Sequence, residues 1–222
     1  MREMAEAPVQ RTGKTIANNC CKIPVTPLLD KKSLRKEIIF RRDSIPSEIR
    51  EMKDRAIEKQ LTRLNSFQAA RTILFYASFR SEVNTEKLIR KSLEGRRITV
   101  LPRVVKINDT LKLYVIRNWA DLAPGSWGIL EPIEASEREL QAADIDIVLA
   151  PGVGFDESCN RLGYGKGYYD KLLSARGSSA HKPLIVGLAY EEQLVPSLPC
   201  NPHDIKMDIV ITDKRTITCN EP

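Results

Sequence analysis

The chain has 222 residues, and its hydrophobic fraction of 42% is enough to bury the core of one sizeable domain. No apolar run approaches the roughly 18 residues of a membrane-spanning helix, so we expect no membrane partner. The formal net charge of +6 is concentrated in residues 31–63, which hold eleven basic and six acidic residues. Such a positive field attracts anions, with ATP, a carboxylate-rich metabolite and nucleic acid as candidates.

The cysteines bear on the compartment. They are Cys20, Cys21, Cys159, Cys200 and Cys219. Their number is odd and no Cys-x-x-Cys pair occurs, which predicts a reducing compartment with neither a disulfide framework nor structural zinc. Cys159 would need a base to act as a nucleophile, and an ordinary thiol is the simpler interpretation.

Residues 1–29 lack periodicity, which predicts a loosely ordered leader. We expect a single domain at residues 30–217, followed by a short tail of residues 218–222. The leader lacks the apolar core of a secretory signal. A mitochondrial presequence and a misassigned start codon both stay open. We therefore expect a cytoplasmic protein, or a mitochondrial one if the leader acts as a presequence.

The first predicted helix begins at Asp30, places Leu34, Ile38 and Arg42 on one face, and ends before Pro46. Ser47 is predicted to cap a second helix that runs to about Phe67. The apolar face predicted for this helix consists of Ile49, Met52, Ala56, Leu61 and Leu64.

Short apolar runs then alternate with helical segments. Strands are predicted at residues 72–77, 97–101, 112–116, 145–150, 184–189 and 208–212. Helices are predicted at residues 85–93 and 167–176, and residues 119–132 are predicted to form a loop. Proline 102 is expected to end the second strand, and the third is expected near an edge. This alternation predicts an α/β fold of three αβα layers, Rossmann-like, with a mainly parallel sheet.

Residues 160–170 read Asn-Arg-Leu-Gly-Tyr-Gly-Lys-Gly-Tyr-Tyr-Asp. Glycines let backbone N–H groups approach a ligand closely, and such groups with a lysine suit phosphate oxygens. Tyrosine rings offer a face to a flat heterocycle. The run is not a P-loop, because Gly167 follows Lys166 where Ser or Thr is required. It is not a dinucleotide fingerprint either, because ten residues separate it from the preceding strand. A flexible surface loop is the plainer alternative.

Phe155 and Asp156, followed by this run, resemble the signature of the 5-formyltetrahydrofolate cyclo-ligase family. The resemblance covers residues 31–213. Its weaker segments are residues 31–35, 82–85, 101–103, 125–132 and 203–208. It implies a sheet of the ribose-isomerase and CoA-transferase type.

The resemblance also implies an activity in one-carbon metabolism. ATP and Mg²⁺ would support conversion of 5-formyltetrahydrofolate to 5,10-methenyltetrahydrofolate, with release of ADP and phosphate. The formyl oxygen attacks the γ-phosphate, N10 closes onto the activated carbon, and phosphate leaves. Folate and ATP would be the partners of a monomer that binds no nucleic acid.

Roles follow by position from the resemblance. Arg161 and Lys166 would be catalytic, as cations that stabilise the phosphoryl group in transfer. ATP would be bound by Lys31, Lys32, Ser33, Leu34, Arg35, Arg161, Leu162, Gly163, Tyr164, Gly165, Lys166, Gly167, Tyr168 and Tyr169. Folate would be bound by Ala77, Glu82, Tyr164, Gly165, Lys166, Gly167 and Tyr168.

The metal would be held by Asp170 and Asp204, with Asp208 as the competing choice for the second position. Asp170 could instead only stabilise the start of a helix. Trp127 would pack on the substrate, beneath it, or in the core. His203 is interpreted as a local hydrogen-bonding residue before a general base.

The chain departs from the family pattern at three positions. Tyr164 stands where some relatives have arginine, Cys159 where glycine is common, and Asn84 where an acidic residue is common. None of these departures removes a phosphate or metal group. Two other functions stay open: a non-catalytic relative that binds folate or nucleotide, and a nucleic-acid-binding module that uses residues 31–63. The mixed charges of that segment and the lack of a recognised motif disfavour the second.

Overall fold

The computed structural model describes residues 30–174 and 182–219. The predicted leader, the end of the predicted helix 167–176 and most of the predicted tail lie outside the described residues, and the division into leader, domain and tail stays a prediction. The helices of the described part are α1 Lys31–Asp43, α2 Ser47–Arg63, α3 Asn65–Ala69, α4 Glu86–Glu94 and α5 Tyr168–Ser174. None of them is long and apolar enough to cross a membrane.

The strands of the described part number thirteen. They are β1 Thr72–Leu74, β2 Ile98–Val105, β3 Thr110–Ile116, β4 Leu122–Pro124, β5 Leu130–Pro132, β6 Glu139–Leu140, β7 Ile147–Ala150, β8 Gly154–Asp156, β9 Arg161–Leu162, β10 Leu184–Leu188, β11 Leu194–Val195, β12 Ile209–Ile211 and β13 Thr216–Thr218.

A central sheet has the strand order β13-β12-β10-β7-β1-β2-β3-β6. The five strands from β12 to β2 run parallel. β13 pairs antiparallel at one edge, and β3 and β6 do so at the other. The predicted α/β fold with a mainly parallel sheet is confirmed, and β3 lies one strand from the edge, as expected.

Successive residues of the central strands point to opposite sides of the sheet. On one side Ile73 and Leu149 pack in a cluster with Leu61 of α2 and Ile89 of α4. On the other side Leu74, Val148 and Ala150 pack with Leu173 of α5. The domain therefore has three layers. A third cluster joins α1 to the hairpin of β8 and β9, and consists of Leu34, Ile38, Val153, Leu162, Val195 and Leu198.

The apolar face predicted for α2 is wrong in its first half, although Leu61 is buried and Leu64 packs against the core as predicted. Ile49 and Met52 are exposed, whereas Ile57 is buried beside Leu61. Polar residues complete the inner face because they find partners there. Lys53 pairs with Glu192 and Asp213. Ser47 is also not the cap, since it is the first residue of the helix and follows Pro46 at the N-cap.

Strand β2 does not end at Pro102 as predicted but continues to Val105. Beyond Val100 the strand pairs with β3 but no longer with β1. Pro102 therefore lies where β2 has a neighbouring strand on one side only, and its missing N–H is tolerated. The predicted loop 119–132 likewise contains structure, because β4 and β5 pair in a small antiparallel hairpin.

The expectation that the chain has no disulfide is wrong. Cys159 and Cys219 are bonded, with 6.1 Å between their Cα atoms. The two residues lie 60 apart in sequence, and strand β13, which sequence reasoning missed, carries Cys219 to this position. Cys200 is a free, exposed thiol. The cysteine count therefore gives no information on the compartment.

Candidate active site

The glycine-rich segment joins β9 to α5. Gly165 and Gly167 have φ values of +105° and +69°, a backbone region that favours glycine. The hairpin before the segment is held by the buried Asp156 carboxylate. It accepts hydrogen bonds from the backbone N–H groups of Ser158, Asn160 and Leu198. Sequence reasoning gave Asp156 no role, although its place in the signature was the available signal.

Helix α1 docks against this segment through cations at its first turns. Arg35 Nε donates to the Gly163 carbonyl oxygen at 2.7 Å, and Lys31 Nζ lies 2.5 Å from Asp204 Oδ2. Partial burial would raise the pKa of Asp204, but Lys31 and the Asn201 N–H outweigh it, and the pKa lies below its usual value. Two segments predicted for ATP and one predicted for the metal therefore meet.

Arg161 is the buried cation of the segment, with a side chain only 5% exposed. Its Nη2 pairs with Asp170 Oδ1 at 2.8 Å, and its Nη1 donates to the Pro151 carbonyl at 3.1 Å. The ring of Tyr169 lies 5.8 Å from the guanidinium carbon. The buried Nε has no hydrogen-bond partner among the residues that the structure describes. The side chain is thus firmly placed and retains one donor.

The two aspartates predicted for the metal are connected by one backbone hydrogen bond. Ile205, the residue after Asp204, donates its N–H to Asp170 Oδ1 at 3.3 Å. Asp208 lies elsewhere: it is buried between β10 and β12, and its carboxylate accepts the Ile185 N–H at 2.8 Å. Within the described residues no group of three or more His, Cys, Asp or Glu side chains could hold a metal. A metal here would need oxygen atoms from phosphate or water, as Mg²⁺ prefers.

Glu82 marks the other side of the segment. The hydroxyl of Tyr164 donates to Glu82 Oε1 at 2.7 Å, and the Phe79 N–H donates to Oε2 at 2.9 Å. Burial raises the pKa of Glu82, while these hydrogen bonds and the charge of Arg42 oppose that rise. Burial and Glu82 together raise the pKa of Tyr164 well above its usual value, so its phenol keeps the proton that it donates.

Lys166 projects from the middle of the segment. It is exposed and makes no ion pair or hydrogen bond with any described residue, which leaves its charge available to a ligand. Tyr168 donates to Asp109 Oδ1 at 3.1 Å, and Tyr169 is buried. Tyr169 therefore supports Arg161 from within the core and presents no open ring face.

Other residues that were predicted to bind a ligand have structural roles. Leu34 and Leu162 are buried together in the third cluster. Lys32 and Ser33 donate their backbone N–H groups to the Asp30 side chain, which caps α1. Ala77 is half-buried beside the first cluster. Leu34 and Leu162 thus present only backbone to a ligand.

The structure also bears on the interpretations of Trp127 and His203. Trp127 is 60% exposed with a φ of +57°, so packing in the core is excluded. It lies at the tip of the hairpin of β4 and β5 as an exposed aromatic surface. His203 is also exposed and makes no hydrogen bond with a described residue, so its interpretation as a local hydrogen-bonding residue is wrong.

The glycine-rich segment therefore lies between two kinds of group. On one side are the cations of α1, Arg161 and the two aspartates, which suit a triphosphate with a divalent metal. On the other are Tyr164 and Glu82, which suit a ligand that donates N–H hydrogen bonds. One segment can thus hold two ligands side by side.

Comparison with known proteins gives a consistent result. A model of the 5-formyltetrahydrofolate cyclo-ligase family matches residues 28–213. The 5-formyltetrahydrofolate cyclo-ligase of Mus musculus is 33% identical over 187 residues, which cover 82% of this chain and 92% of the mouse protein. A mitochondrial 5-formyltetrahydrofolate cyclo-ligase of Arabidopsis thaliana is 31% identical over 185 residues, which cover 74% of this chain and 67% of the plant protein.

The fold agrees with a solved structure as well. The solution structure of 5,10-methenyltetrahydrofolate synthetase from Aquifex aeolicus superposes with a TM-score of 0.76 at 31% identity, and the match covers 87% of this chain and 95% of that one. The sequence signature, the sheet and the family match extend over the same part of the molecule. The chain belongs to the 5-formyltetrahydrofolate cyclo-ligase family.

Proposed function

We propose that this enzyme converts 5-formyltetrahydrofolate and ATP to 5,10-methenyltetrahydrofolate, ADP and phosphate. One observation carries the proposal. The glycine-rich segment has phosphate-binding cations on one side and, through Tyr164, contacts the buried Glu82 on the other. A reaction that transfers a phosphoryl group from a triphosphate to a formyl group on a heterocycle requires both ligands at one place.

The first chemical step transfers the γ-phosphoryl group to the formyl oxygen, and ADP leaves. Negative charge on the moving group spreads over its oxygens, so fixed cations stabilise the transition state. Arg161, held by Asp170 and the core, supplies a rigid fork, and the exposed Lys166 supplies a compact charge. The cations of α1, Lys31 and Arg35, bind the remaining phosphates.

The second step closes the ring. N10 attacks the activated formyl carbon, phosphate leaves with the former formyl oxygen, and the N10 proton is released. Glu82 holds the heterocycle by accepting its N–H hydrogen bonds, and the Tyr168 ring borders it. Trp127, exposed at its hairpin tip, packs on the bound substrate and helps to exclude water, which would otherwise hydrolyse the activated intermediate.

The described residues fit a magnesium ion at Asp170 and Asp204. Both are aspartates, the hard oxygen ligands that Mg²⁺ prefers, and they are few enough to leave positions for phosphate oxygens and water. The ion would neutralise charge on the β- and γ-phosphates. Asp204 is the better second ligand, because it is partly exposed and the residue after it contacts Asp170, whereas Asp208 is buried between β10 and β12.

The test is an assay of the methenyl chromophore. Purified protein with ATP and 5-formyltetrahydrofolate should produce the methenyl absorbance and one ADP per product, and both should stop when Mg²⁺ is removed. A folded protein that binds folate tightly but releases no ADP would support the non-catalytic alternative. Affinity for nucleic acid that falls steeply with salt would support the nucleic-acid-binding alternative.

We also propose that the enzyme is a monomer in the cytoplasm, with the mitochondrion as the alternative compartment. Light scattering of the purified protein tests the first statement. Imaging of the full chain, tagged at its C-terminus, tests the second, because removal of residues 1–29 abolishes mitochondrial signal only if they act as a presequence.

A further inference from the structure

Arg42 is an arginine inside the protein. It lies in the last turn of α1 and is 1% exposed. Within the described residues no carboxylate forms a direct ion pair with its guanidinium. A buried charge is costly unless hydrogen bonds and opposite charge compensate for it. An arginine retained at such a position needs an account beyond packing.

Two hydroxyl groups connect Arg42 to two acids. Its Nε donates to Ser81 Oγ at 2.9 Å, and Ser81 donates in turn to Asp43. Its Nη1 donates to Tyr164 Oη at 3.1 Å, and Tyr164 donates to Glu82 Oε1 at 2.7 Å. The guanidinium thus acts on a carboxylate of the candidate folate site without touching it.

The second chain has a fixed direction. A guanidinium can only donate, so the Tyr164 oxygen accepts from Arg42 and turns its own proton to Glu82. The other oxygen of Glu82 accepts from the Phe79 N–H. Both oxygens are therefore fixed in position, and each retains a lone pair for a ligand.

Arg42 is the cation near Glu82 that favours the charged form of the Glu82 carboxylate. Burial disfavours that form, and Arg42 is the charged group that opposes burial. Tyr76 and Tyr169 also lie near Glu82, but both are buried phenols that carry no charge. An ionised carboxylate is an acceptor only, which is the state that a ligand with N–H donors requires.

We propose that Arg42 is a positioning residue of the folate site. Acting through Tyr164, it holds Glu82 in one orientation and keeps it an acceptor for the N–H donors of the substrate heterocycle. The inference rests on the proposed function, because Glu82 is the folate-binding acid only if folate is the substrate.

The test compares Arg42→Met with Arg41→Met. Arg41 is the neighbouring residue of α1 and is exposed, and among the described residues it pairs only with Glu37 of the same helix. Arg42→Met should raise the KM for 5-formyltetrahydrofolate about tenfold or more, the cost of hydrogen bonds to a charged group, while the KM for ATP stays unchanged. Arg41→Met should change neither constant.

A relocated guanidinium provides a rescue. In the double variant Arg42→Met with Tyr164→Arg, the new arginine can reach Glu82 from the loop, and the KM for folate should return toward the original value. Equal increases in both KM values, or a lower melting temperature with unchanged constants, would reduce Arg42 to a structural residue. If Arg42→Met does not fold, Arg42→Lys tests the same point, because one ammonium cannot reproduce both the Nε and the Nη1 hydrogen bonds.

The proposed function and the inference about Arg42 can be contradicted by different results. An active enzyme whose folate KM ignores Arg42→Met would overturn only the inference. If the unaltered chain binds folate without turnover, the proposed function fails, and the folate Kd of the same variants, measured by calorimetry, decides the inference. A chain that binds no folate overturns both.

Discussion

The ammonium of Lys31 and the carboxylate of Asp204 form an ion pair of 2.5 Å across 173 residues of sequence. One partner belongs to the segment predicted to bind ATP, and the other is a predicted metal ligand. Arg161 and Asp170 form a second pair of the same kind. The cations proposed to bind phosphate and the acids proposed to bind the metal therefore neutralise each other in pairs. In the proposed reaction Mg²⁺ would replace the cation beside each acid, and phosphate would replace the acid beside each cation.

The first prediction concerns this exchange. Lys31→Met should raise the KM for ATP about tenfold, because a charge-assisted contact with phosphate is lost. Its effect on stability should be small, about 1 kcal/mol or less, since the pair is partly exposed to solvent. Steady-state kinetics and thermal melting measure the two effects. Lys36→Met, an exposed change on the same helix, should leave both unaltered; an equal loss in this control would contradict the assignment.

Lys166 should matter for rate and not for folding. Lys166→Ala should lower kcat by about 100-fold or more, as for other groups that stabilise a charged transition state. The melting temperature should not change, because the side chain is exposed and makes no ion pair or hydrogen bond with a described residue. Lys106→Ala, in the exposed turn between β2 and β3, is the matched control. A fully active Lys166→Ala enzyme would remove this lysine from the mechanism.

Substitutions of Asp204 and Asp208 should affect different properties, the magnesium requirement for Asp204 and the stability for Asp208. Asp204→Asn should raise the Mg²⁺ concentration needed for half-maximal rate, because a metal ligand loses its charge. Asp208→Asn should lower stability by about 1–3 kcal/mol, because a buried carboxylate accepts the Ile185 N–H. Its magnesium requirement should stay the same. Magnesium titrations and denaturant unfolding distinguish the two, and the reverse pattern would make Asp208 the ligand.

Folate binding should weaken in acid earlier than an ordinary glutamate would allow. Burial raises the pKa of Glu82 above its usual value of 4.5, so protonation, which removes the acceptor, begins at a higher pH. The native state then binds this proton more readily than the unfolded state, and the contribution of Glu82 to stability falls as pH rises from 4.5 through the raised pKa. The folate KM should therefore rise as the pH falls through this window, and Glu82→Gln should bind weakly without that dependence. A dependence retained in Glu82→Gln would identify another group.

The disulfide between Cys159 and Cys219 should stabilise the fold next to the glycine-rich segment. The bond closes a loop of 60 residues, for which chain entropy predicts about 4 kcal/mol. A reducing agent or Cys219→Ser should therefore lower the melting temperature. Cys200→Ser, which removes the free thiol, should not. Equal melting with and without reductant would show that the bond does not form in solution.

Local patterns in the sequence determined much of this protein. Apolar periodicity placed α1 with Leu34, Ile38 and Arg42 inward, and short apolar runs located the parallel strands. The signature at residues 160–170 identified the family, because glycine and charge at fixed spacing reflect a ligand rather than a core. These features depend on neighbours within a few residues, and so the chain alone carries them.

The tertiary structure decided what depends on distant partners. Lys53 lies on the inner face of α2 because it forms ion pairs with Glu192 and Asp213. These partners are distant in sequence, so the local pattern of α2 does not predict them. Cys159 meets Cys219 only because β13 adds to the edge of the sheet. Periodicity placed Arg42 on the inner face of α1 without indicating its partners, and only the folded chain brings it to Tyr164 and hence to Glu82. A buried charge takes its role from the groups around it, and folding alone brings those groups together.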